Sequence, residues 1–269
     1  MEPRNDLLSD DPELLQRLLT RREAIRSGLS GSSRAAAGLV LGSAPVALAV
    51  VATDALGQDD LPDLIVNVLN FALMLEELEA EFYTRGFAAP GLLRGAERET
   101  FDQVRKHEVA HVRFLRSVLG GRAIPKPTFD YTGGMGSGNG PFADVFSNPR
   151  TFAALAQAFE DTGVRAYKGQ ASFLMGNKRI LEDALKIHAV EARHAAQIRR
   201  LRGQKGWIVQ SSRGDLPPQT QPIYAGESNT FHFVLGPLSG SDENTRAFDE
   251  PLTQGEVMDI VRPFLATGR

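Results

Sequence analysis

The pattern Glu-x-x-His occurs twice, as Glu108-Val109-Ala110-His111 and as Glu191-Ala192-Arg193-His194, each inside a stretch of helical periodicity. Three residues of helix turn through about 300°, so each Glu and its His share a face and can meet one object. Upstream of each pair lies another Glu with a Tyr seven residues on: Glu76 with Tyr83, and Glu160 with Tyr167. Seven residues is nearly two turns, which puts each Tyr below its Glu on one stripe. Glu76 precedes Glu108 by 32 positions and Glu160 precedes Glu191 by 31, so the chain is a weak internal repeat. Two such hairpins related by a pseudo-twofold present four carboxylates, Glu76, Glu108, Glu160 and Glu191, and two imidazoles, His111 and His194. Four carboxylates balance two divalent cations, so the pattern predicts a buried pair of metal ions.

Register supports this over a solvated placement. Leu69, Ala72, Leu73, Ala80 and Tyr83 share the stripe of Glu76, Leu115 continues from His111, and Ile198 and Leu201 continue from His194. Ala153 and Val164 flank Glu160. Charges on an apolar stripe need compensation, either by metal ions or by an ion-pair core. The sequence contains no cysteine, which excludes disulfides, thiolate metal sites, iron–sulfur clusters and cysteine nucleophiles. Oxygen-rich ligands with two nitrogens suit iron or manganese. The formal net charge of −3 offers no basic field for nucleic acid.

Four helices are expected. The first begins with Asp60 as cap and Pro62 in the first turn, runs to about Arg85, and ends at Gly86. The second runs from about Ala96 to Leu119 and stops at Gly120-Gly121. The third starts at Asn148-Pro149 and continues to about Leu174, and the fourth runs from Lys178 to about Arg202. Short connections make the first and second, and the third and fourth, antiparallel neighbours. The long linker 120–147, rich in Gly and Pro, suits a crossover between two hairpins. The expected fold is an all-α core, a four-helix bundle over residues 58–203, with a small mixed C-terminal extension.

Residues 1–57 read differently. Arg21-Arg22 precede an uncharged run from Ala35 to Ala52, rich in small and apolar residues. This resembles a twin-arginine export signal, with small residues at Ala47 and Ala49 for cleavage. Gly38, Gly42 and Pro45 interrupt the run, so no stable membrane span is expected after processing. The departures are an Ala where the export motif prefers a large apolar residue, and an acidic start. The alternative is a helical arm packed on the domain, which would leave the protein cytoplasmic.

Residues 60–203 resemble the ferritin-like superfamily, in particular its branch of bacterial ferritin-like proteins and plant desiccation-related proteins. The resemblance is carried by Leu69-Asn70-Phe71-Ala72 through Glu76, by Glu79-Ala80-Glu81-Phe82-Tyr83, by Phe159-Glu160-Asp161-Thr162-Gly163-Val164 and by Ala189-Val190-Glu191-Ala192-Arg193-His194. The ending Ala247-Phe248-Asp249-Glu250-Pro251-Leu252 is similar as well. The resemblance implies bridging roles for Glu108 and Glu191 and terminal roles for Glu76 and Glu160, with His111 and His194 each completing one metal. It leaves three functions open, because one fold hosts many chemistries. The first is a di-iron oxidase or ferroxidase using O2 or hydrogen peroxide, exported against oxidative or desiccation stress. The second is a di-manganese catalase, and the third a stress-related structural or binding protein with a vestigial site.

Other side chains carry narrower expectations. Tyr83 and Tyr167 either donate hydrogen bonds to ligands and pass electrons, or are core tyrosines. Glu79 is a third carboxylate on the face of Glu76 or a neighbour of the ligands, with Gly163 at the equivalent place in the other half. Glu77 and Glu81 are expected in solvent, His107 pointing away, His188 near the ligands, and His232 structural. Asp161 is expected to pair with Arg105 or Arg193. In the extension, 204–269, Trp207–Val209 and Thr230–Leu235 read as short strands. Thr253 to Glu256 reads as a capping box before a short helix with Val257, Ile260, Val261 and Phe264. This region is expected to cover the bundle or form a subunit contact, giving a small homo-oligomer rather than a large storage cage.

Overall fold

Four amphipathic segments separated by glycine, proline and asparagine fold as four helices in the computed structural model, which describes residues 61–232, 236–237 and 245–266. The expected export segment and the Asp60 cap lie outside the described residues. Helix α1 spans Asp63–Ala88, α2 Gly95–Leu119, α3 Pro149–Gln170 and α4 Lys178–Leu201. Pro62 is the residue before α1 rather than part of its first turn. Short 3-10 turns, Gly120–Arg122 and Ala171–Leu174, continue α2 and α3. Among the described residues no helix is long and apolar enough to cross a membrane.

Asn148 caps α3 by accepting from the Arg150 N–H, with Pro149 at the first helical position. Asn177 caps α4 in the same way through the Ile180 N–H. Replacing Asn148 with Ala should cost about 1 kcal/mol, read as a lower denaturation midpoint with unchanged slope. Gly86 does not end α1, which runs three residues past Arg85. A β-carbon at Gly86 would fall 2.1 Å from the Phe152 ring, so this glycine serves close packing of α1 on α3.

Within each hairpin the helices run antiparallel. Arg122 after α2 meets Asp63 at the start of α1, and Arg98 near the start of α2 meets the carbonyl of Phe87. Gln157 and Asp161 of α3 meet Arg202 and Arg199 near the end of α4. The linker 120–147 is the crossover and packs along α1. The Tyr131 hydroxyl donates to the Leu78 carbonyl at 2.8 Å, and Lys126 pairs with Glu81 at 2.7 Å.

The C-terminal residues roof α3. Arg165, 1% exposed, donates to the carbonyls of Ile223, Ala225 and Glu250 and pairs with Glu227 at 2.8 Å. Phe159 meets Phe264 edge-on at 5.0 Å. Consequently α3 is buried without a break from Phe152 to Tyr167, and α1 from Leu75 to Ala80, while α2 and α4 keep exposed faces. Helix α5, Gln254–Val261, opens with the expected Thr253–Glu256 capping box and buries Val257 and Val261. Trp207–Val209 forms no strand. Among the described residues of Thr230–Leu235, Phe231–His232 forms a strand, β1, which pairs antiparallel with Gly236–Pro237, β2. His232 falls in β1 and not on the four helices that carry the other expected residues.

Candidate metal centre

Placed on four helices at matching heights, the six expected side chains converge. Glu76, Glu108, Glu160 and Glu191 are fully buried, and His194 is 5% exposed. Ligand atoms of Glu76, Glu108, His111 and Glu191 lie within 4.8 Å of one another, as do those of Glu108, Glu160, Glu191 and His194. The two groups share Glu108 and Glu191. His111 Nδ1 stands 3.1 Å from Glu76, 3.2 Å from Glu108 and 3.2 Å from Glu191. His194 Nδ1 stands 2.9 Å from Glu108 and 3.2 Å from Glu160.

The tyrosines cross over. Tyr83 of α1 donates to Glu160 of α3, and Tyr167 of α3 donates to Glu76 of α1, both at 2.5 Å. Each tyrosine therefore serves the carboxylate of the other hairpin, not the one above it on its own stripe. Burial, and then the facing carboxylate, raises the pKa of both hydroxyls, so both stay protonated donors. Replacing Tyr83 or Tyr167 with Phe should leave a buried carboxyl oxygen without its donor. The expected loss is about 1–3 kcal/mol of stability, checked by denaturant titration of the metal-free protein.

The carboxylates do not titrate alike. Burial pushes Glu76 well above the ordinary carboxylate range, against the opposing charge of His111, and pushes Glu160 up to about 8. Burial also opposes charge on Glu108, but the charges and hydrogen bonds of His111 and His194 outweigh it and hold this carboxylate well below its ordinary range. Burial would lower both histidines. The surrounding carboxylates reverse that, taking His111 well above its usual value and His194 to about 11. Without metal, protons on these groups offset the crowded negative charge.

Glu191 is the one ligand carboxylate with both oxygens buried and without a geometric hydrogen-bond partner; His111 Nδ1 stands 3.2 Å from one of them. An orphaned carboxylate at the centre of a ligand cluster is compensated by a cation. The donor set, four carboxylates and two imidazoles, fits a pair of hard or borderline divalent ions.

Glu79 joins this region, 3% exposed on α1. A β-carbon at Gly163 would sit 3.3 Å from Glu191 Oε2 and 3.5 Å from Glu79 Oε1, so the glycine leaves room where two carboxylates meet. Burial, followed by repulsion from Glu191, raises the Glu79 pKa well above its ordinary value.

Several sequence expectations are corrected. Glu77 is 5% exposed, not solvated, because Arg116 bonds it at 2.7 Å and the crossover covers α1. Glu81 is half-buried and paired with Arg85 and Lys126. His107 does not point away: its Nδ1 lies 2.9 Å from His194 Nε2, the rings stack at 5.1 Å, and Gln103 contacts its other nitrogen at 2.7 Å. Such an outer partner fixes which nitrogen of His194 faces the carboxylates. His188 feels the charge of Glu191, while its buried Nε2 has no hydrogen-bond partner. Asp161 pairs with Arg199 at 2.5 Å and accepts from Tyr224 at 2.6 Å, whereas Arg105 is engaged by Asp102 and Arg193 is exposed.

A four-helix bundle with carboxylates and Glu-x-x-His pairs projecting into its centre is the architecture of di-metal carboxylate proteins, and the cluster is compatible with two metal ions. A family model for the ferritin-like domain matches residues 65–204, more than half of the chain, and the chain belongs to that family. No curated protein matches the sequence.

Proposed function

We propose that this protein is a di-iron oxidase of the ferroxidase type, acting on Fe(II) with O2 or hydrogen peroxide. The observation that carries the reading is the pair of four-residue groups sharing Glu108 and Glu191, with Glu191 unsatisfied at their junction. Bound there, two iron ions would supply the two electrons that reduce O2 to hydrogen peroxide or peroxide to water. Glu76 with His111, and Glu160 with His194, each complete one group. The Tyr83 and Tyr167 hydroxyls hold protons against Glu160 and Glu76 and orient those carboxylates. The stretches Leu75–Ala80 of α1 and Phe152–Tyr167 of α3, buried on all sides, keep bulk water from the centre.

The test is elemental analysis of protein from its native compartment, followed by anaerobic Fe(II) loading and exposure to oxygen. The reading expects two metals per chain and absorption of oxo-bridged iron. Bound manganese with rapid peroxide consumption and no Fe(II) oxidation would instead make the protein a di-manganese catalase. Stress survival unchanged by Glu108→Ala and His194→Ala in cells would favour a non-catalytic role. In the same reading residues 1–57 export the protein, and a reporter fused to residues 1–60 should leave the cytoplasm. Size-exclusion chromatography should show a small homo-oligomer and not an iron-filled cage.

A further inference from the structure

The two tyrosines sit in unlike surroundings. Tyr83 is enclosed by aromatic rings, with Phe82 edge-on at 5.2 Å, Phe101 at 6.0 Å and Phe152 at 6.2 Å, all three almost fully buried. Tyr167 instead lines an apolar cavity between the two hairpins, together with Ala72, Leu115, Gln170, Ala184 and Ile187. The cavity offers about 20 Å³ to the centre of a water-sized sphere. That is little more than one small molecule needs, and far below an organic ligand pocket. Water is a poor occupant, because it needs two to four polar partners. The Tyr167 hydroxyl is already spent on Glu76. Gln170, 6% exposed, brings a side-chain amide nitrogen with no hydrogen-bond partner.

We propose that this cavity is a holding site for a small apolar diatomic, dioxygen, which reaches the centre from the Tyr167 side next to the Glu76–His111 group. Three features converge on it. The lining is apolar and close-fitting, one amide nitrogen remains free to donate, and the wall includes the tyrosine that bonds a carboxylate of the centre. The Tyr83 side is filled by phenylalanine rings, and the open pocket beside His194 is lined by the polar side chains of Gln103, Arg193 and Arg200, so the apolar space lies on the Tyr167 side although the ligands are nearly symmetric. The identity of the gas rests on the oxidase reading; the preference for a small apolar occupant does not.

The experiment uses xenon under pressure on the full chain, metal-free and iron-loaded, with crystallographic or 129Xe NMR readout. A xenon atom is expected beside Ala72, Leu115 and Ala184 in both forms. Ala184→Leu fills the cavity from a position two turns from Glu191, and Ala184→Val is the milder filling variant should leucine disturb folding. Xenon binding should be lost while the number of bound metals stays unchanged. Fe(II) oxidation by O2 should slow about tenfold, as when entry becomes limiting, while oxidation by the polar oxidant hydrogen peroxide keeps its rate. Absence of xenon from the parent protein overturns the proposal. So does a folded filling variant that loses xenon yet oxidises Fe(II) with O2 at the parent rate. If the parent oxidises Fe(II) with neither oxidant, the oxidase reading fails, and xenon alone then decides whether the cavity takes a small apolar occupant.

Discussion

Glu191→Ala should abolish binding of both metal ions, whereas Glu76→Ala or Glu160→Ala should leave one. Glu191 belongs to both groups of converging ligand atoms, so its removal strips a donor from each. Glu76 and Glu160 belong to one group apiece. Loss of neighbouring support alone weakens a site by about 10–100-fold, and loss of a shared ligand should exceed that at both positions together. The fold should survive the substitution. The Glu191 carboxylate has no geometric hydrogen-bond partner, so deletion orphans no donor and removes a buried negative charge from a crowded centre. Metal-to-protein ratio after dialysis against micromolar metal, with circular dichroism as the control, checks this. A variant that retains one ion would mean that the two groups do not depend on a common carboxylate.

Metal loading should raise the melting temperature by roughly 10–20 °C. Each ion present at one hundred times its Kd adds about 2.7 kcal/mol, and a domain of this size gains about 2–4 °C per kcal/mol. The gain should grow with pH. Glu160, raised to about 8 from an ordinary 4.5, favours the metal-free fold while protonated. That contribution is fully present below pH 4.5 and is lost as the pH rises through 8. Glu76 and both histidines are shifted in the same direction. Glu108, shifted down, stays ionised throughout and adds no slope there. Cations compete with these protons, so affinity rises over the same window. Calorimetric scans of loaded and metal-free protein should diverge between about pH 4.5 and pH 8, and parallel curves would contradict the proton-displacement account.

The ligands were legible in the sequence because a helix converts spacing into direction. Glu-x-x-His at three residues and the matched upstream Glu needed no knowledge of which helices touch. The helix start at Asn148-Pro149 was equally local. What the sequence hid was long-range. The partners of Tyr83 and Tyr167 lie across the bundle, and a stripe on one helix cannot name them. His107 was misplaced because a residue beside a ligand was assumed to face solvent, whereas it faces α4 and the far side of His194. Its signal was there: the neighbouring hairpin carries Val190 at the matching place, so His107 breaks the repeat. Glu77 and Asp161 were misjudged for another reason. The crossover and the C-terminal residues cover the middle of α1 and most of α3, and nothing in the local pattern of either helix announces a second covering layer. The extended segment at Trp207 was over-read, since Ile208 is buried there without a ladder.

That covering layer changes what counts as the unit of folding. The family match stops at residue 204, but the Arg165 guanidinium finds its carbonyls and its carboxylate at 223, 225, 227 and 250. Asp161 likewise takes the Tyr224 hydroxyl, and the Leu252 N–H reaches back to the Arg165 carbonyl at 3.1 Å. A fragment trimmed to the matched boundaries would present a naked guanidinium and a row of phenylalanine and alanine surface on the helix that carries Glu160. The tail is the missing wall of the bundle, and any attempt to graft or minimise this scaffold has to bring it along.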